Sequence, residues 1–482
     1  MKTLAGLIKN CDVKKYQGDL DVKVSSVCFD SRNVQEGTLY VAQRGTQVDG
    51  HQFISKAIRS GATCVVCETM PQTIYDNVTY VLVENTARAL GQIASLFYDE
   101  PSKELKLVGV TGTNGKTSIV TLLYKMFNKL GYKVGLLSTI ANYVGEKEHK
   151  ATHTTPDAVQ LNVLLRDMVN EGCEYCFMEV SSHALVQHRV AGVHFIGGIF
   201  TNLTHDHLDY HETFKSYLTA KKSFFDKLPK DSFALTNIDD RNGEVMLQNT
   251  KAKQYAYAAK SLGDFNVKIL ERHFDTTLME FNGTEVWTQF IGDFNAYNLL
   301  AVYATACLLD IPEQSTLVAL STLEPVAGRL DTYVSGSGIT AVVDYAHTPD
   351  ALENVLKTLK GIVDDGQIIT VVGAGGNRDK TKRPKMARIA CEYSNRVILT
   401  SDNPRNEQPE SIIEDMFNGV PEEQKLATLC VTNRREAIKM AALLAVKGDL
   451  ILIAGKGHET YQEVEDKRNY FNDKEEIKQI LN

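Results

Sequence analysis

The chain has 482 residues, of which 43% are hydrophobic and 23% are charged, and its formal net charge is −8. This length exceeds what one hydrophobic core usually serves, so we expect two to four domains. The negative charge argues against a general nucleic-acid-binding protein, which would show a basic surface. No apolar run is long enough to cross a bilayer. The N-terminus lacks a signal-peptide pattern and the nine cysteines are scattered, so we expect a cytoplasmic protein that does not insert into membranes.

The first 100 residues contain short strand-like runs and turns, such as VSSVCFDSR and GTLYVAQRG, which predict a small N-terminal domain. The polar stretch YDEPSKELK follows as a linker. Two Cys-x-x-Cys pairs could suggest zinc: Cys64 with Cys67, and Cys173 with Cys176. Each pair lies at or beside an apolar strand-like run, where residues three apart point to opposite faces. We therefore expect buried structural cysteines instead of zinc ligands.

A glycine-rich turn follows the strand predicted at residues 107–110, and a helical period of apolar residues begins near Thr117. The turn reads TGTNGKT, and Gly131 stands where a glycine commonly ends a helix. This order predicts a P-loop, whose backbone N–H groups and helix N-terminus hold phosphates. Lys116 would reach the β- and γ-phosphates, and the Thr117 hydroxyl would bind Mg²⁺. The loop is atypical because Val110 replaces the first glycine of the common pattern.

Two further apolar runs end in polar groups. One ends at Glu179, and the other is followed by the motif HDHLDYH at residues 205–211. The His-x-His pattern invites zinc, but a nucleotide already requires Mg²⁺, and oxygen-rich surroundings suit that ion better. From the residues alone, a polar loop with solvated histidines explains the motif equally well.

Two predicted helices carry polar pairs with more than one interpretation. Lys221 and Lys222 lie on an amphipathic helix, where most lysines are solvated. Asn295 and Asn298 share one face near the start of another helix and could hold a purine edge or serve as capping and surface groups.

The last third of the chain contains strand-like runs that alternate with helical segments, which predicts a parallel sheet of βαβ units. The runs are ITAVVDY, IITVVGA, RVILTSD and LILIAGK. Asp402, Asn403, Pro404 and Arg405 follow the third run as a turn, because Pro404 fixes its own φ and restricts the residue before it. A plain surface turn is one interpretation. The other is a recognition loop, since open α/β sheets bind ligands beyond the carboxyl ends of their strands.

Taken in order, these stretches resemble the Mur ligase family over nearly the whole chain. The matching segments are FDSRNVQEGTLYVA, GTNGKTS, HTTPDA, MEVSSHALVQHRV, FTNLTHDHLDYH, YLTAKKSFF, GDFNAYNLLA, GRLD, DYAHTPDAL, GAGGNRDKTKRP, SDNPR and AGKGHETYQ. The resemblance implies an α/β fold with three domains. These are a small N-terminal UDP-binding domain at residues 1–100, a central P-loop ATPase-like parallel sheet at 101–327, and a Rossmann-like domain at 328–482.

The resemblance also implies an ATP-dependent ligase of peptidoglycan synthesis that forms an amide bond. The motifs agree best with family members that add meso-2,6-diaminopimelate to UDP-N-acetylmuramoyl-L-alanyl-D-glutamate through an acyl phosphate. The implied partners are these small molecules and ATP, with Mg²⁺ as cofactor and a monomeric chain. Carboxylates and amines do not condense in water, so the acid must first be activated. Phosphoryl transfer needs positioning and charge neutralisation more than covalent help.

The resemblance assigns roles residue by residue. The catalytic residues would be Lys116, Glu179, His207 and Lys221. The metal ligands would be Thr117, Glu179, His207 and a carbamylated Lys221, which reverses the solvated interpretation of that lysine. The ATP site would comprise Gly112, Thr113, Asn114, Gly115, Lys116, Thr117, Ser118, Asn295, Arg329, Asp344 and His347. The UDP-muramyl-dipeptide site would comprise Phe29, Ser31, Thr46, Gln47, Val48, Thr154, Thr155, Ser181, Gln187 and Arg189. The diaminopimelate site would comprise Arg378, Asp402, Asn403, Pro404, Arg405, Gly455 and Glu459.

Arg405 is the residue expected to select the amino acid. Diaminopimelate differs from lysine mainly by one carboxylate, which a guanidinium can hold in a two-pronged, charge-assisted bond. By the resemblance, relatives that add lysine lack this arginine.

Several other functions are alternatives. A lysine-adding Mur ligase and a folate-polyglutamate ligase share the chemistry, whereas a GTPase is disfavoured because no clear N-K-x-D motif is present. A dinucleotide-binding oxidoreductase would rest on VVGAGGNR, but Arg378 occupies the position of the third glycine. A non-catalytic nucleotide-binding protein would not need Lys116, Glu179, His207 and Lys221 together.

Overall fold

The computed structural model describes residues 1–45, 48–204, 206, 208–273, 276–363, 365–465 and 467–482, with the backbone alone for 208 and 209. Three of the predicted site residues, Thr46, Gln47 and His207, lie outside the described residues. The described residues form three successive parts, each built on a mainly parallel sheet with its own buried apolar core, so the expectation of an α/β protein with three sheet-based parts is confirmed.

The N-terminal part holds a small sheet covered by helices. Its strands are β1 (Lys2–Thr3), β2 (Val13–Gln17), β3 (Lys23–Val24), β4 (Ser26–Cys28), β5 (Thr38–Val41), β6 (Ala62–Cys67) and β7 (Thr79–Val83). Its helices are α1 (Leu4–Ile8), α2 (Ile54–Arg59) and α3 (Thr86–Phe97), with a 3-10 turn at Gly50–Phe53. The main sheet has the order β2-β7-β6-β5-β4, in which β4 to β7 run parallel and β2 runs antiparallel to β7.

The central part is built on the largest sheet. Its strands are β8 (Lys106–Thr111), β9 (Val134–Leu137), β10 (Asn142–Val144), β11 (Lys147–His149), β12 (Tyr175–Glu179), β13 (Gly197–Phe200), β14 (Phe233–Asn237), β15 (Lys253–Ala258), β16 (Phe265–Arg272), β17 (Thr277–Phe281) and β18 (Thr284–Thr288). Its helices are α4 (Lys116–Lys129), α5 (Ala158–Asn170), α6 (Ser182–Val186), α7 (Leu208–His211), α8 (Phe214–Asp226), α9 (Gly243–Leu247), α10 (Asp293–Leu308) and α11 (Glu313–Ser321), with a 3-10 turn at Pro101–Lys103.

The strand order of the central sheet is β11-β10-β9-β12-β8-β13-β14-β15-β16-β17-β18. The strands from β9 to β16 in this order run parallel, and antiparallel strands extend both ends. The parallel arrangement predicted for the central sheet therefore holds from β9 to β16 in this order, and among the described residues no helix separates the successive strands from β15 to β18. The strands β17 and β18 are joined by a hairpin turn at Asn282-Gly283, where both residues have positive φ, +44° and +92°. An Asn-Gly pair between two strands is the strongest short-range signal for such a hairpin.

The C-terminal part holds a second open sheet. Its strands are β19 (Asp331–Val334), β20 (Thr340–Asp344), β21 (Ile368–Ala374), β22 (Arg396–Ser401), β23 (Thr428–Val431), β24 (Leu450–Ala454), β25 (Tyr461–Val464) and β26 (Lys467–Tyr470). Its helices are α12 (Pro349–Lys360), α13 (Lys382–Tyr393), α14 (Pro409–Phe417), α15 (Arg434–Leu444) and α16 (Asp473–Leu481), with a 3-10 turn at Glu422–Ala427.

The order of this sheet is β19-β20-β24-β21-β22-β23, and β19 alone runs antiparallel to its neighbour within it. The four predicted strands are confirmed as β20, β21, β22 and β24. The strands β21, β22 and β24 are almost entirely buried, as expected for parallel strands covered on both faces. Across the residues that the structure describes, no helix is both long and apolar enough to span a membrane.

The cysteine pairs behave as predicted from their position on strands. Cys64, Cys67 and Cys176 are fully buried, and Cys173 is 6% exposed. Burial raises the pKa of Cys64 and of Cys67 to about 11, so these thiols stay protonated at neutral pH. Their role in the described fold is to fill the cores of the N-terminal and central parts.

Candidate functional site

The loop between β8 and α4 needs glycine at two positions. Gly115 has a φ of +87°, a left-handed conformation that glycine adopts at little cost. A Cβ on Gly112 would lie 1.8 Å from Thr201 Oγ1, and a Cβ on Gly115 would lie 2.6 Å from Asn298 Oδ1. The loop is therefore packed tightly from behind. Its turn leads directly into the N-terminus of α4, where free backbone N–H groups favour a phosphate.

The segment that follows β13 holds the phosphate loop in place. The Thr113 N–H donates to the Asn202 carbonyl oxygen at 2.9 Å, and the Asn114 N–H donates to Asn202 Oδ1 at 2.9 Å. Thr201 Oγ1 donates to the Asn114 carbonyl oxygen at 2.6 Å. Because β13 is the sheet neighbour of β8, these contacts fix the loop to the strand beside it.

Lys116 is folded back onto its own loop. Its Nζ donates to the carbonyl oxygens of Gly112 at 2.9 Å and Thr113 at 2.7 Å. Burial lowers the pKa of Lys116, while the charges of Glu179 and Asp206 act in the opposite direction. An ammonium held over the loop by two carbonyl oxygens can exchange them for stronger, charge-assisted bonds to phosphate.

Lys221 lies on the inner face of α8. It is 1% exposed, and its Nζ donates to the Gly112 carbonyl oxygen at 2.7 Å, the same oxygen that Lys116 contacts. Burial lowers the pKa of Lys221 well below its ordinary value, and the nearby Lys116 lowers it further. The solvated interpretation of this lysine is therefore wrong, because it shares the buried face of α8 with Tyr217, Ala220, Phe224 and Phe225.

Glu179 ends β12 and is 1% exposed. Its Oε1 accepts hydrogen bonds from Thr117 Oγ1 at 2.9 Å and from the Thr139 N–H at 2.8 Å. Its Oε2 is buried and has no hydrogen-bond partner among the described residues. A buried carboxylate oxygen without a partner, beside a phosphate-loop threonine, is the donor set that a hard divalent cation prefers.

The fit to Mg²⁺ rests on these two side chains. The described residues contain no group of three or more His, Cys, Asp and Glu side chains arranged to hold a metal ion. Mg²⁺ commonly binds through one or two carboxylates plus substrate phosphates and water, so Thr117 and Glu179 suffice as protein ligands. The neighbouring His211 is engaged elsewhere, with its Nε2 2.9 Å from Ser182 Oγ.

A polar cluster lies directly behind Glu179. Thr155 Oγ1 donates to the Glu179 carbonyl oxygen at 2.8 Å and accepts from the Ser181 N–H at 3.1 Å. Arg189 Nη1 donates to the Thr155 carbonyl oxygen at 2.8 Å, and its Nε and Nη2 donate to Gln187 Oε1 at 3.0 and 2.7 Å. The structure thus brings together four of the residues assigned to the muramyl dipeptide.

The other members of that set are divided between two parts of the chain. Thr154 joins the cluster's edge, where its Oγ1 accepts from Thr139 Oγ1 at 3.1 Å. Phe29, Ser31 and Val48 lie in the N-terminal part, where Ser31 is buried and Val48 is exposed. The structure therefore places the predicted uridine end and dipeptide end on different domains.

The last domain contributes charged groups from the end of β20. Asp344 accepts from the Leu330 N–H at 2.7 Å through Oδ2 and from the Ala346 N–H at 2.8 Å through Oδ1. Burial raises the pKa of Asp344, and the charge of Arg329 opposes this. The Arg329 guanidinium lies 4.7 Å from the centre of the Tyr345 ring, and its Nε has no hydrogen-bond partner among the described residues. That arginine keeps donors available for a ligand.

His347 and Asn295 are held by local contacts. His347 Nδ1 lies 2.9 Å from the Tyr345 carbonyl oxygen, and burial lowers its pKa to about 4, so it is neutral at pH 7. Asn295 Nδ2 donates to the Ile291 carbonyl oxygen at 2.9 Å, and Asn295 Oδ1 accepts from Asn298 Nδ2 at 3.1 Å. Asn298 is the residue that touches the phosphate loop, so of the two asparagines it has the clearer structural role.

One hydrogen bond joins the phosphate loop to the last domain. Asn114 Nδ2 donates to Asp350 Oδ2 at 2.9 Å, and Asp350 lies in the first turn of α12. Burial raises the pKa of Asp350, and the bond from Asn114 opposes that rise. The two helix N-termini, of α4 and α12, are therefore tied to the same loop.

The ends of β22 and β24 carry a network of charged side chains. Lys456 is fully buried, and its Nζ donates to Glu459 Oε2 at 2.9 Å and Asn403 Oδ1 at 3.1 Å. Asn403 Nδ2 donates to the same Glu459 oxygen at 2.8 Å. Burial and the charge of Asp402 raise the pKa of Glu459, while Lys456 opposes the rise.

Asp402 presents an unused acceptor. Its Oδ1 accepts from the Asn403 N–H at 2.7 Å, but its buried Oδ2 has no hydrogen-bond partner within the described part of the chain. Burial would raise the pKa of Asp402, yet the charges of Lys456 and Arg434 outweigh it and lower the pKa. A Cβ on Gly455 would lie 2.5 Å from Asp402 Oδ2, so only a glycine there leaves room for this oxygen. Pro404 is buried beside it.

Arg405 closes the same turn in a left-handed conformation, with a φ of +52°. Its Nη1 donates to the Gly376 carbonyl oxygen at 2.8 Å, and its Nε lies 3.4 Å from Glu463 Oε2. A Cβ on Gly375 would lie 3.1 Å from Arg405 Nη1 and 3.8 Å from Arg378 Cγ. The structure thus brings the two predicted arginines close to the same glycine.

Sequence reasoning missed several residues of this cleft. Thr201, Asn202 and Asp350 support the phosphate loop, and Glu463 contacts Arg405. Lys382, the first residue of α13, is 7% exposed. Burial lowers its pKa, while Asp206 from the central domain and Asp402 from the last domain act in the opposite direction. The signal was present, because Thr201, Asn202, Asp350 and Lys382 all lie inside motifs already noted for other residues.

A phosphate loop on a central parallel sheet, facing charged loops from a following open sheet, defines a three-domain nucleotide-binding α/β protein. Family models match the three parts separately. Residues 23–98 match "Mur ligase family, catalytic domain", residues 110–306 match "Mur ligase middle domain", and residues 328–457 match "Mur ligase, glutamate ligase domain". The chain belongs to the Mur ligase family, as the sequence motifs predicted.

Individual relatives cover nearly the whole chain. A UDP-N-acetylmuramoyl-L-alanyl-D-glutamate–2,6-diaminopimelate ligase of Bacteroides fragilis is 55% identical over 468 residues, covering 97% of this chain and 96% of its own length. A ligase with the same name from Cytophaga hutchinsonii is 55% identical over 476 residues, with 98% of both chains covered. A solved structure bearing that name is 31% identical, covers 100% of this chain and 98% of its own, and superposes with a TM-score of 0.70.

Proposed function

We propose that the protein is an ATP-dependent ligase of peptidoglycan synthesis that acts in the cytoplasm. It joins an amino group of meso-2,6-diaminopimelate to the γ-carboxylate of the D-glutamyl residue in UDP-N-acetylmuramoyl-L-alanyl-D-glutamate. The names of relatives that are 55% identical over nearly the full length support this substrate pair. The observation that carries the proposal is the turn after β22, which places an unpartnered carboxylate oxygen on Asp402 and a guanidinium on Arg405. Those two groups complement the ammonium and carboxylate at one end of an amino acid.

The nucleotide end of the reaction takes place at the phosphate loop. Gly112 to Gly115 and the first turn of α4, which contains Ser118, would surround the phosphates of ATP, with Lys116 on the β- and γ-phosphates. Bound at Thr117 and Glu179, Mg²⁺ would neutralise charge on the transferred phosphoryl group. Asn295, Arg329, Asp344 and His347 would complete the ATP site from the helix α10 and from the last domain.

The first chemical step activates the acid. A γ-carboxylate oxygen of the dipeptide attacks the γ-phosphorus of ATP, the bond from that phosphorus to the β–γ bridging oxygen breaks, and ADP leaves. The cluster of Thr155, Ser181, Gln187 and Arg189 lies directly behind Glu179 and would hold the dipeptide in line with the γ-phosphate. Holding the two reactants in this geometry supplies much of the rate enhancement.

The second step forms the amide. The amine of diaminopimelate attacks the acyl carbon, its proton passes to solvent or a nearby base, and inorganic phosphate leaves. Arg378 and the turn from Asp402 to Arg405, with Gly455 and Glu459, would hold the amino acid. An acyl phosphate is lost to hydrolysis if water reaches it, so we expect the domains to close over the bound substrates.

A phosphate-release assay tests the proposal. The full chain with ATP, Mg²⁺ and the muramyl dipeptide should release phosphate when diaminopimelate is added and far less when lysine is added. Equal rates with both amino acids would point to an enzyme of broader specificity, and a higher rate with lysine would point to a lysine-adding enzyme. No release with any amino acid would contradict the ligase assignment itself.

A further inference from the structure

Glu463 holds Arg405 through both backbone and side chain. The Arg405 N–H donates to the Glu463 carbonyl oxygen at 3.1 Å, and the Glu465 N–H donates to the Arg405 carbonyl oxygen at 2.7 Å. These two bonds flank a parallel bridge between Arg405 and Val464. The left-handed backbone of Arg405 is therefore fixed by pairing with β25, a strand that contributes no residue to the substrate sites assigned above.

The same strand holds the rest of the turn. The Glu463 N–H donates to Asn403 Oδ1 at 2.9 Å, and Gln462 Nε2 donates to the Asp402 carbonyl oxygen at 2.8 Å. Gln462 or Glu463 therefore provides a hydrogen-bond partner for three groups of the turn. These are the Asp402 carbonyl oxygen, the Asn403 side-chain amide and the Arg405 backbone N–H. The turn has no regular structure of its own, so β25 is the element that fixes its shape.

The side-chain contact leaves part of the guanidinium free. Arg405 has five N–H donors. Nη1 donates to the Gly376 carbonyl oxygen at 2.8 Å, and Nε faces Glu463 Oε2 at 3.4 Å. In the described structure Nη2 makes no hydrogen bond. The Arg405 and Glu463 side chains are 23% and 24% exposed, so the ion pair is partly shielded from water.

These contacts fit a positioning role better than competition for the substrate. A 3.4 Å separation without a hydrogen bond is an ion pair that orients the guanidinium without saturating it. An unrestrained arginine loses rotamer freedom when it binds a carboxylate, and a preorganised one loses less. We propose that Glu463 is a positioning residue for amino-acid selection, which holds Arg405 so that its free Nη2 edge meets the carboxylate distinguishing diaminopimelate from lysine. This inference rests on the proposed function.

The variant Glu463→Gln tests this role, because it removes the charge and keeps the size and the backbone. We expect the KM for diaminopimelate to rise about threefold to tenfold, as for a partly exposed ion pair, with kcat at saturation and the KM for ATP within about twofold of wild type. The ratio of kcat/KM for diaminopimelate over lysine should fall by the same factor. Glu465→Gln is the matched control, since Glu465 is exposed and contacts Arg405 through its backbone alone.

A double-mutant cycle with Arg405→Ala separates positioning from a general structural effect. If Glu463 acts through Arg405, adding Glu463→Gln to Arg405→Ala should change the selectivity ratio no further. An unchanged ratio in Glu463→Gln alone, a lower KM for diaminopimelate, or an additive loss in the double variant would each overturn the inference. If the wild-type protein ligates diaminopimelate but one of these outcomes is observed, only the positioning role is refuted. Wild-type protein without ligation would refute the proposed function.

Discussion

The phosphate loop and the Asp402–Arg405 turn both lie at the carboxyl ends of parallel strands, yet they are built differently. The phosphate loop depends on backbone: two glycines in tight packing, a helix N-terminus and carbonyl oxygens that hold Lys116. The turn depends on side chains from two other segments, including Lys456, Glu459 and Glu463. A backbone site binds a chemical class, here phosphate, whereas a side-chain network can be altered one residue at a time to select one amino acid.

The largest loss is expected from Lys116→Met in the phosphate loop. The ammonium has no substitute there, because Lys221, which contacts the same carbonyl oxygen, is itself buried. We expect kcat to fall at least about a hundredfold, the usual cost of removing one transition-state donor. Steady-state phosphate release measures it. A fall of less than about threefold would show that the backbone alone suffices.

Lys221→Ala should come next. The buried lysine is held among apolar side chains, and burial lowers the pKa of Lys221, which favours the neutral amine that forms a carbamate with carbon dioxide. We expect loss of about one hundredfold or more in activity, with partial restoration by short carboxylic acids that take the place of the carbamate. Lys222→Ala, one residue along the same helix, is the control. An active Lys221→Ala variant that does not respond to bicarbonate would refute the carbamate assignment.

Arg405→Ala should affect selectivity more than turnover. Removing the guanidinium leaves the phosphate loop intact, so acyl-phosphate formation should continue. We expect the preference for diaminopimelate over lysine to fall about tenfold to a hundredfold, since a site built for a polar group rejects analogues that lack it. Competition between the two amino acids in one reaction measures the ratio. An unchanged preference would place discrimination elsewhere, and Arg378 would be the next residue to test.

An ion pair beside the Asp402–Arg405 turn should make the stability of the folded protein depend on pH. Arg383 is fully buried and donates to Glu407 Oε1 and Oε2 at 2.9 and 3.0 Å, which lowers the pKa of Glu407 from 4.5 to about 2. A carboxyl with a lowered pKa contributes stability that is complete above about pH 4.5 and is lost as the pH falls towards 2. Glu407→Gln should therefore destabilise the protein by on the order of 2 kcal/mol at pH 7 and by much less at pH 3.

Urea unfolding at both pH values checks this prediction. Glu410→Gln, on the exposed surface of the neighbouring helix α14, is a control that should change neither value. A Glu407→Gln deficit that stays the same at pH 3 would contradict the assigned pKa.

The smallest effect is expected at the contact between the phosphate loop and α12. Asp350→Asn replaces the acceptor of the Asn114 hydrogen bond with an amide that can still accept. We expect a change of about twofold to fivefold in the KM for ATP and little change in selectivity, since a single interdomain hydrogen bond contributes modestly. Asp350→Ala should give the larger effect of the two variants. Identical kinetics for both variants and wild type would show that this contact does not affect nucleotide binding.

The sequence predicted the domains and the phosphate loop, but it did not predict several of the side-chain contacts in the site. The phosphate loop was predictable because its chemistry is local: strand, glycines, Lys-Thr and helix are adjacent in the chain. The buried position of Lys221 was not predictable from its helix, because the amphipathic pattern did not show which face would meet Gly112. The contact between Arg405 and Glu463 joins residues 58 positions apart, and nothing in either segment signals the other.

The central sheet shows the same difference between a local sequence signal and the strand pairing observed in the structure. The Asn-Gly pair at 282–283 is a hairpin signal, but the predicted parallel sheet left no place for a hairpin. Tertiary pairing of β16 with both β15 and β17 decided the outcome. Local signals were reliable where they matched the global pattern and were overlooked where they did not.

The distribution of the site along the chain has a consequence for how the protein is made. The phosphate loop is complete once the central domain has emerged from the ribosome, whereas Arg405, Glu459 and Glu463 come much later. Because domains tend to fold as units in order of synthesis, a nascent chain would pass through a state that can hold nucleotide without the groups that receive the amino acid. Arg329, Asp344 and His347, which are expected to complete the ATP site, belong to the same last domain as the turn that selects the amino acid. The site that activates the acid is therefore complete only when that turn has also been synthesised.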